Sequence, residues 1–402
     1  MSFCTDVHAG GEVGCERPAE VLPPYSPLDP SDEGLDGSDE IAPALPTDMA
    51  VSVGAELTSA AQLLLPVGGL AVTLEGFANV RATVRVASTG SLLGVAAVFD
   101  HGGSGPAVIA SSTVDEKTSR RMVRFVPGPG LMGVRVVCTI TVPRSAALDE
   151  LALRLPAGSQ LEIEQVGRAM VQRLDVAVIS GSVWLSQVGA GRVRVAVGSG
   201  TIDAFAVDAD EAAEFIACSG RVRVGGCAAK VIRSNTPGAR LTMSDLHAEA
   251  LSISGRQAEI AVSAVAAKSV TVATCAGAVT LDAITTESLD VRTETAPVRG
   301  SWAIGRRVSI VAGAAMVQGR LSLASNEVHA AISTSGWPVQ LAVSDSFRGF
   351  FDVTAAGSIA NVGFAAATAH ERRPHRVQGV VGTGPSSLRI TNARSPIVVT
   401  TF

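Results

Sequence analysis

From residue 174 onward the apolar and polar positions follow one short pattern repeatedly: two alternating apolar positions, a polar turn, a small residue, then two more alternating apolar positions. Anchored on Val183, Ile202, Val222, Leu241, Ile260, Val279, Val298, Val317 and Val339, the pattern recurs every nineteen or twenty positions and lengthens only at the last step. Two positions before each of the first eight anchors stand Gly181, Gly200, Gly220, Ala239, Ala258, Gly277, Ala296 and Ala315. A column confined to Gly and Ala marks a backbone that turns or passes close to its neighbour. Apolar residues also precede the anchor by nine and by seven positions, as in Leu174 and Val176 or Leu289 and Val291. Two positions after it come Leu185, Ala204, Val224, Met243, Val262 and Leu281, and then Gly300 and Gly319. Alternation with period two on both sides of a turn predicts two short strands per repeat, each with one face inward.

Such repeats stacked in parallel predict a β-solenoid, with like columns about 4.8 Å apart along its axis. A leucine-rich repeat has a similar length, but its Leu–Asn consensus is absent. Leu161 and Ile163 fit an earlier coil entered through Leu151–Pro156. Beyond Val339, Ile359 follows after one period and Ile397 after two more, which predicts later coils of the same stack. Between them Ala365–Val377 reads as a loop inserted into one coil. Residues 51–148 also read as strands, over Leu70–Phe77, Val80–Ala87, Leu92–Phe99, Met122–Val126 and Val134–Val142, without the regular register of the repeats. These are expected to form a β-rich cap, because the open edge of a first coil invites aggregation. The predicted organisation is therefore all-β: a tail over 1–50, a strand-rich cap or first part of the β domain over 51–148, and a parallel β-solenoid over 149–402 with an inserted loop near 365–377.

Composition changes the picture mainly at the N-terminus. Residues 1–50 hold eleven acids, seven prolines and one base, Arg17, whereas the whole chain nets only −5. Such a segment cannot bury enough apolar surface to fold alone and is expected to be disordered. Within it Leu22-Pro23-Pro24-Tyr25, followed by Ser26-Pro27, resembles the ligands of WW domains and predicts a protein partner for the tail. Asp32–Glu40 imitates a calcium loop only in part, with Asp39 and Pro43 where an apolar residue and Glu belong. The remainder is mildly basic, and its arginine pairs (Arg120-Arg121, Arg306-Arg307, Arg372-Arg373) are scattered, which argues against nucleic-acid binding. The chain is 47% hydrophobic, yet no uninterrupted apolar run is long enough to support a membrane span. Met1–Gly14 lacks a signal-peptide pattern, so the default compartment is cytoplasmic.

Candidate chemistry is sparse. Eight positions before the anchor, Asp175, Arg194, Glu214 and Arg233 alternate in sign, as a cross-strand ion-pair ladder requires and a catalytic pair of acids does not. Cys218 and Cys275 share a column three coils apart, about 14 Å by stacking, too far for a disulfide, and read as buried small hydrophobes. His370 and His375 are five positions apart around Pro374, which rules out a zinc-binding helix and predicts a solvated loop. Trp184, Trp302 and Trp337 fall in three different columns and form no sugar-stacking platform. No catalytic, cofactor-binding or metal-ligating residues are predicted.

One resemblance follows from these residues. Leu151–Leu185 (LALRLPAGSQLEIEQVGRAMVQRLDVAVISGSVWL), followed by repeated V-x-V-x-x-x-x-G-x-V, resembles the putative-adhesin β-solenoid family of bacteria and fungi. Val136–Pro156 (VVCTITVPRSAALDELALRLP) is similar to the strand-and-proline lead-in of its fungal members. The resemblance covers about residues 60–402 and implies a β-solenoid with no established reaction, a cell-surface location, and a glycan or other cell-surface ligand. Fungal relatives often carry a membrane span beside the repeats, which this sequence does not show. The expectation is a non-enzymatic solenoid serving as a structural, adhesive or scaffolding surface, with the tail recruiting a partner. The alternative is a carbohydrate-binding or carbohydrate-active β-helix using a groove beside the coils.

Overall fold

The regular spacing places each anchor directly against the next. In the computed structural model, Val222, Leu241, Ile260, Val279, Val298, Val317 and Val339 form one unbroken parallel ladder. All are fully buried, and each contributes about 1.5–3 kcal/mol of transfer free energy. The structure describes residues 48–51, 60–61, 69–77, 79–87, 94–100, 108–115, 120–127, 135–145, 147–364 and 367–402. The acidic tail, with Leu22, Pro23, Pro24 and Tyr25, lies outside the described residues apart from 48–50.

Every regular element among the described residues is a strand. The first are β1 (Asp48–Val51), β2 (Ala60–Ala61), β3 (Leu70–Leu74), β4 (Asn79–Ala87), β5 (Gly94–Asp100), β6 (Val108–Asp115), β7 (Arg120–Pro127) and β8 (Arg135–Pro143). The regular coils run through β9 (Leu148–Leu155), β10 (Ser159–Glu164), β11 (Val171–Asn235), β12 (Gly238–Gly255), β13 (Ile260–Thr274), β14 (Val279–Thr293), β15 (Val298–Ala312) and β16 (Val317–Leu323). Then come β17 (His329–Thr334), β18 (Val339–Val343), β19 (Gly349–Ala355), β20 (Ala360–Gly363), β21 (Ala367–Arg373), β22 (Arg376–Val381), β23 (Ser386–Asn392) and β24 (Ile397–Thr401). This is a parallel β-solenoid.

Each regular coil has three arms, where the hydrophobic pattern predicted two. Four positions after the anchor, Gln187, Ala206, Gly226, Asp245, Ala264 and Ala283 all take left-handed backbone conformations, with φ between 51° and 63°. That corner starts a short middle arm whose inward residues are Val188, Val207, Cys227, Leu246, Val265 and Ile284. Two positions on come Ala190, Ala209, Ala229, Ala248 and Ala267, a small-residue column that keeps this side narrow. A left-handed residue with a Cβ costs about 1–2 kcal/mol, partly offset in glycine by the larger entropy of its unfolded state. Ala264→Gly should therefore stabilise the protein by about 0.5–1 kcal/mol in urea unfolding. A loss of that size would contradict a strained corner.

The glycines of the Gly/Ala column mark a close approach between coils. A Cβ added at Gly200 would lie 1.8 Å from the Gly181 carbonyl oxygen, so the coil passes here only on a bare backbone at φ 133°. Gly300 and Gly319, which interrupt the apolar column two positions after the anchor, serve one side chain. Trp302 pairs with Ile284 across a register shift and points inward, 1% exposed. A Cβ at Gly319 would sit 2.5 Å from its indole ring, and one at Gly300 would sit 2.9 Å from its Nε1. Two glycines thus clear the volume that one tryptophan fills.

The two ends depart from chain order. β3 pairs in parallel with both β7 and β9, and β4 with both β8 and β10. The first coil in the chain therefore lies between β7–β8 and β9–β10. The strand-rich residues expected as a cap or first part of the β domain supply two further coils, and the antiparallel strands are β5 on β8, β6 on β7, β1 on β6 and β2 on β5. No repeat register was visible here because Leu70 stacks on Arg121 and Leu151, both several repeat lengths further along the chain.

At the other end β23 lies between β17 and β19, and β24 between β18 and β20. The anchor column therefore runs Val339, Ile397, Ala360, which corrects the expected order of Val339, Ile359, Ile397. Ile359 is 64% exposed; a slip by one position moves a strand side chain to the opposite face. Ala365–Val377 also differs from the expected loop. Its described part forms β21 and the start of β22, an antiparallel hairpin, and β22 pairs antiparallel with β19. The outermost strand carries His370, Glu371, Arg372 and Arg373 and stops before Pro374, chemistry that discourages further strand pairing.

Candidate functional site

The positions just outside the inward column of the third arm form a shallow concavity of about 490 Å³ near the start of the stack. Arg120 on β7, Gly69 before β3, Glu150 on β9, then Arg173, Arg192 and Glu211 on β11 line it in order along the axis, with Asp149, Gln172 and Gly191 beside them. Register fixes that order, since Leu70 pairs with Arg121 and Leu151, and Glu150 pairs with Arg173.

Gly69 is what allows the ion pair at one end. A Cβ there would lie 3.2 Å from Arg120 Cγ, so the arginine stem rests across bare backbone and reaches Glu150, two layers away, at 3.1 Å. The same device recurs on another side of the coil. Arg168 crosses Gly189, where a Cβ would be 2.8 Å from its Cγ, and pairs with Asp208 and with Asp210 at 2.8 Å. The hydrogen bond to Asp208 and the two carboxylate charges hold the Arg168 guanidinium above its ordinary pKa. At the far end of the concavity Arg192 is neutralised by Glu211. Arg173, between these pairs, is exposed and makes no ion pair among the described residues. The strip thus offers one guanidinium, Arg173, and one carboxylate, Asp149, outside the ion pairs of the described residues.

The predicted outward ladder forms in part. Asp175 is held by Arg154 at 2.5 Å and Glu214 by Arg194 at 3.2 Å, while Arg233 is in no ion pair among the described residues. These half-exposed pairs are worth a few tenths of a kcal/mol each and chiefly favour the correct register. Cys218 is exposed and Cys275 half-buried, a correction to the expectation that both are buried. Their column lies at the turn before the Gly/Ala position, where side chains face outward. Among the described residues the buried thiols are Cys138 and Cys227, each pushed up to about 12 by burial, with the Asp208 charge adding at Cys227, and so kept from forming thiolate. His370 lies on the edge strand β21, and the His375 carbonyl accepts a hydrogen bond from the Ala355 amide. Trp302 is core; Trp184 and Trp337 are 36% and 57% exposed on different columns.

The residues of the concavity were missed from sequence because an outward charge is ordinary on any strand. The available signal was Glu150 and Arg173, each one position before an inward leucine of stacked coils, Leu151 and Leu174. Among the described residues no group of three or more His, Cys, Asp or Glu is placed to hold a metal ion. No helix among them is long and apolar enough to cross a membrane.

Fold and site together define an all-β repeat protein with clasped ends and a charged, exposed concavity. No family model and no curated protein matches the chain. Among solved structures it is similar to a putative cell adhesion protein from Clostridium sporogenes, at 8% identity and a TM-score of 0.17, over 86% of this chain and 99% of that one.

Proposed function

We propose that this protein is a non-enzymatic adhesive or scaffolding solenoid, of the putative-adhesin kind its sequence resembles, which engages an extended acidic glycan along the Arg173 strip. The observation that carries this reading is the guanidinium of Arg173, in no ion pair among the described residues and set between the satisfied pairs Arg120–Glu150 and Arg192–Glu211 in an open concavity that also holds the exposed Asp149. A charge-assisted hydrogen bond from arginine to a carboxylate or sulfate contributes about 1.5–3 kcal/mol, and the matched flanks add little net charge. The strip crosses six layers, about 24 Å at the strand spacing, which suits a linear chain lying along the axis. Arg173→Ser should weaken binding to acidic glycans at least about tenfold without moving the melting temperature. Equal binding by the variant would rule out the strip.

A second reading rests on Trp184. Its partly exposed indole lies beside Glu162 on the preceding coil, a flat apolar face next to a carboxylate, which suits stacking on a neutral sugar. Glycan-array signals lost in Trp184→Ala but kept in Arg173→Ser would favour it. Recruitment through Leu22–Tyr25 is a separate proposal: a peptide of residues 18–30 should bind WW domains, and Tyr25→Ala should not.

A further inference from the structure

We infer that the solenoid is built to carry tension between the chain entering it at β3 and the chain leaving it at β24. This goes beyond the adhesive reading and does not depend on any ligand.

In a solenoid wound in chain order, the first and last coils have one neighbour each. A pull on either end then peels a coil from a single ladder, and the next coil becomes the new end. Here neither the first nor the last coil is an outer coil. β3 and β4 are laddered on both edges, to β7 and β8 on one side and to β9 and β10 on the other. β23 and β24 are likewise held by β17 and β18 on one side and by β19 and β20 on the other. The inward side chains of both coils are core: Leu70, Val72, Val80 and Val84 at one end, and Ile390 and Ile397 at the other. Releasing either coil therefore breaks two ladders at once and opens the core between them.

The outer coils are themselves secured. β7 and β8 carry antiparallel β6 and β5 on their outer edges, and β19 carries antiparallel β22. These outer coils are internal to the chain: at the N-terminal end a load meets them first only through the short strands β1 on β6 and β2 on β5, and once those are released it falls on the clasped coil. The same arrangement arises at both ends from unrelated sequences. Leu70 is clasped between Arg121 and Leu151, and Ile390 between Ile332 and Val353, all of them distant in the chain.

Single-molecule force spectroscopy tests this on the whole chain. One preparation is tethered at the two chain ends. A second is tethered at the N-terminus and at position 363, through Gly363→p-azidophenylalanine at the exposed end of β20. A Cβ at this position meets only the Val399 carbonyl oxygen, at an ordinary 3.6 Å. The load then enters through β20, whose parallel ladder runs to β24 alone, whereas in the end-tethered protein it enters through β24, laddered on both edges. Both preparations share the N-terminal tether, so any release of β1 and β2 is common to them. Beyond that shared event, the end-tethered protein should first rupture at about twice the force of the other, because two ladders must fail together. It should also show no stepwise release of about 7 nm, the extended length of one coil, before that rupture. Equal first-rupture forces, or stepwise peeling of end-tethered molecules, would overturn the inference. Matching thermal melts of the two preparations establish that the handle leaves the fold intact, and loss of glycan binding would leave this result unaffected.

Discussion

Val279→Asp is expected to destabilise the solenoid by about 4 kcal/mol or more, the range seen when a buried charge is left without a partner. Val279 is 0% exposed, and its ladder neighbours, Ile260 on one coil and Val298 on the next, are both core. The introduced carboxylate would meet apolar side chains on the inward face and no donor to satisfy it. The site also lies mid-stack, so the lost contacts separate two blocks of coils and cannot be confined to a fraying end. Burial would raise the introduced group's pKa in the folded state above its unfolded value near 4. The folded protein then binds more protons than the unfolded one between those two values. The deficit is therefore smallest below about pH 4 and grows as pH rises towards the folded pKa, above which it is constant. Urea titrations at pH 4 and pH 8 measure both effects. Near-wild-type stability at pH 8 would mean that residue 279 is not in the core column.

Trp302→Ala should cost about 3–5 kcal/mol, because the flanking positions are glycines and cannot collapse into the space. The instructive variant is the double one. Other coils hold Leu281 or Leu341 where this region has Gly300 and Gly319, in direct register. Gly319→Leu alone should clash with the indole, since even a Cβ there falls 2.5 Å from the ring. Combined with Trp302→Ala, the leucine should recover about 1–2 kcal/mol by refilling the column, a non-additivity that identifies the two residues as occupants of one volume. Strict additivity in a double-mutant cycle would place them in separate environments.

The middle of the fold was legible from sequence because its stacking partners are one repeat apart. Leu241, Ile260 and Val279 announce their ladder by spacing alone. The middle arm was missed because its alanines, such as Ala209 and Ala248, carry little hydrophobic contrast, and because the corner before it uses Ala264 or Asp245 where glycine would have signalled a turn. The ends were misread for a topological reason. Alternation shows which face of β3 or β23 is inward, but it is silent on which coil comes next when that coil is remote in the chain, as Arg121 is from Leu70. The Arg173 concavity was hidden for an electrostatic reason: its character comes from which charges are already neutralised by neighbours on other coils, and across Gly69 that pairing exists only in three dimensions.

The order of coils at the C-terminal end admits a decisive chemical measurement. Gln340, Val398 and Asn361 occupy one outward, exposed column, with Val398 in register between the other two. Adjacent positions in such a column are about 4.8 Å apart, within reach of a disulfide, whereas alternate ones are about 9.6 Å apart and beyond it. The pair Gln340→Cys with Val398→Cys should therefore form a disulfide under mild oxidation, as should Asn361→Cys with Val398→Cys. Gln340→Cys with Asn361→Cys should not. A disulfide between positions 340 and 361, and none between 340 and 398, would mean that the coils stack in chain order and would contradict the clasped architecture.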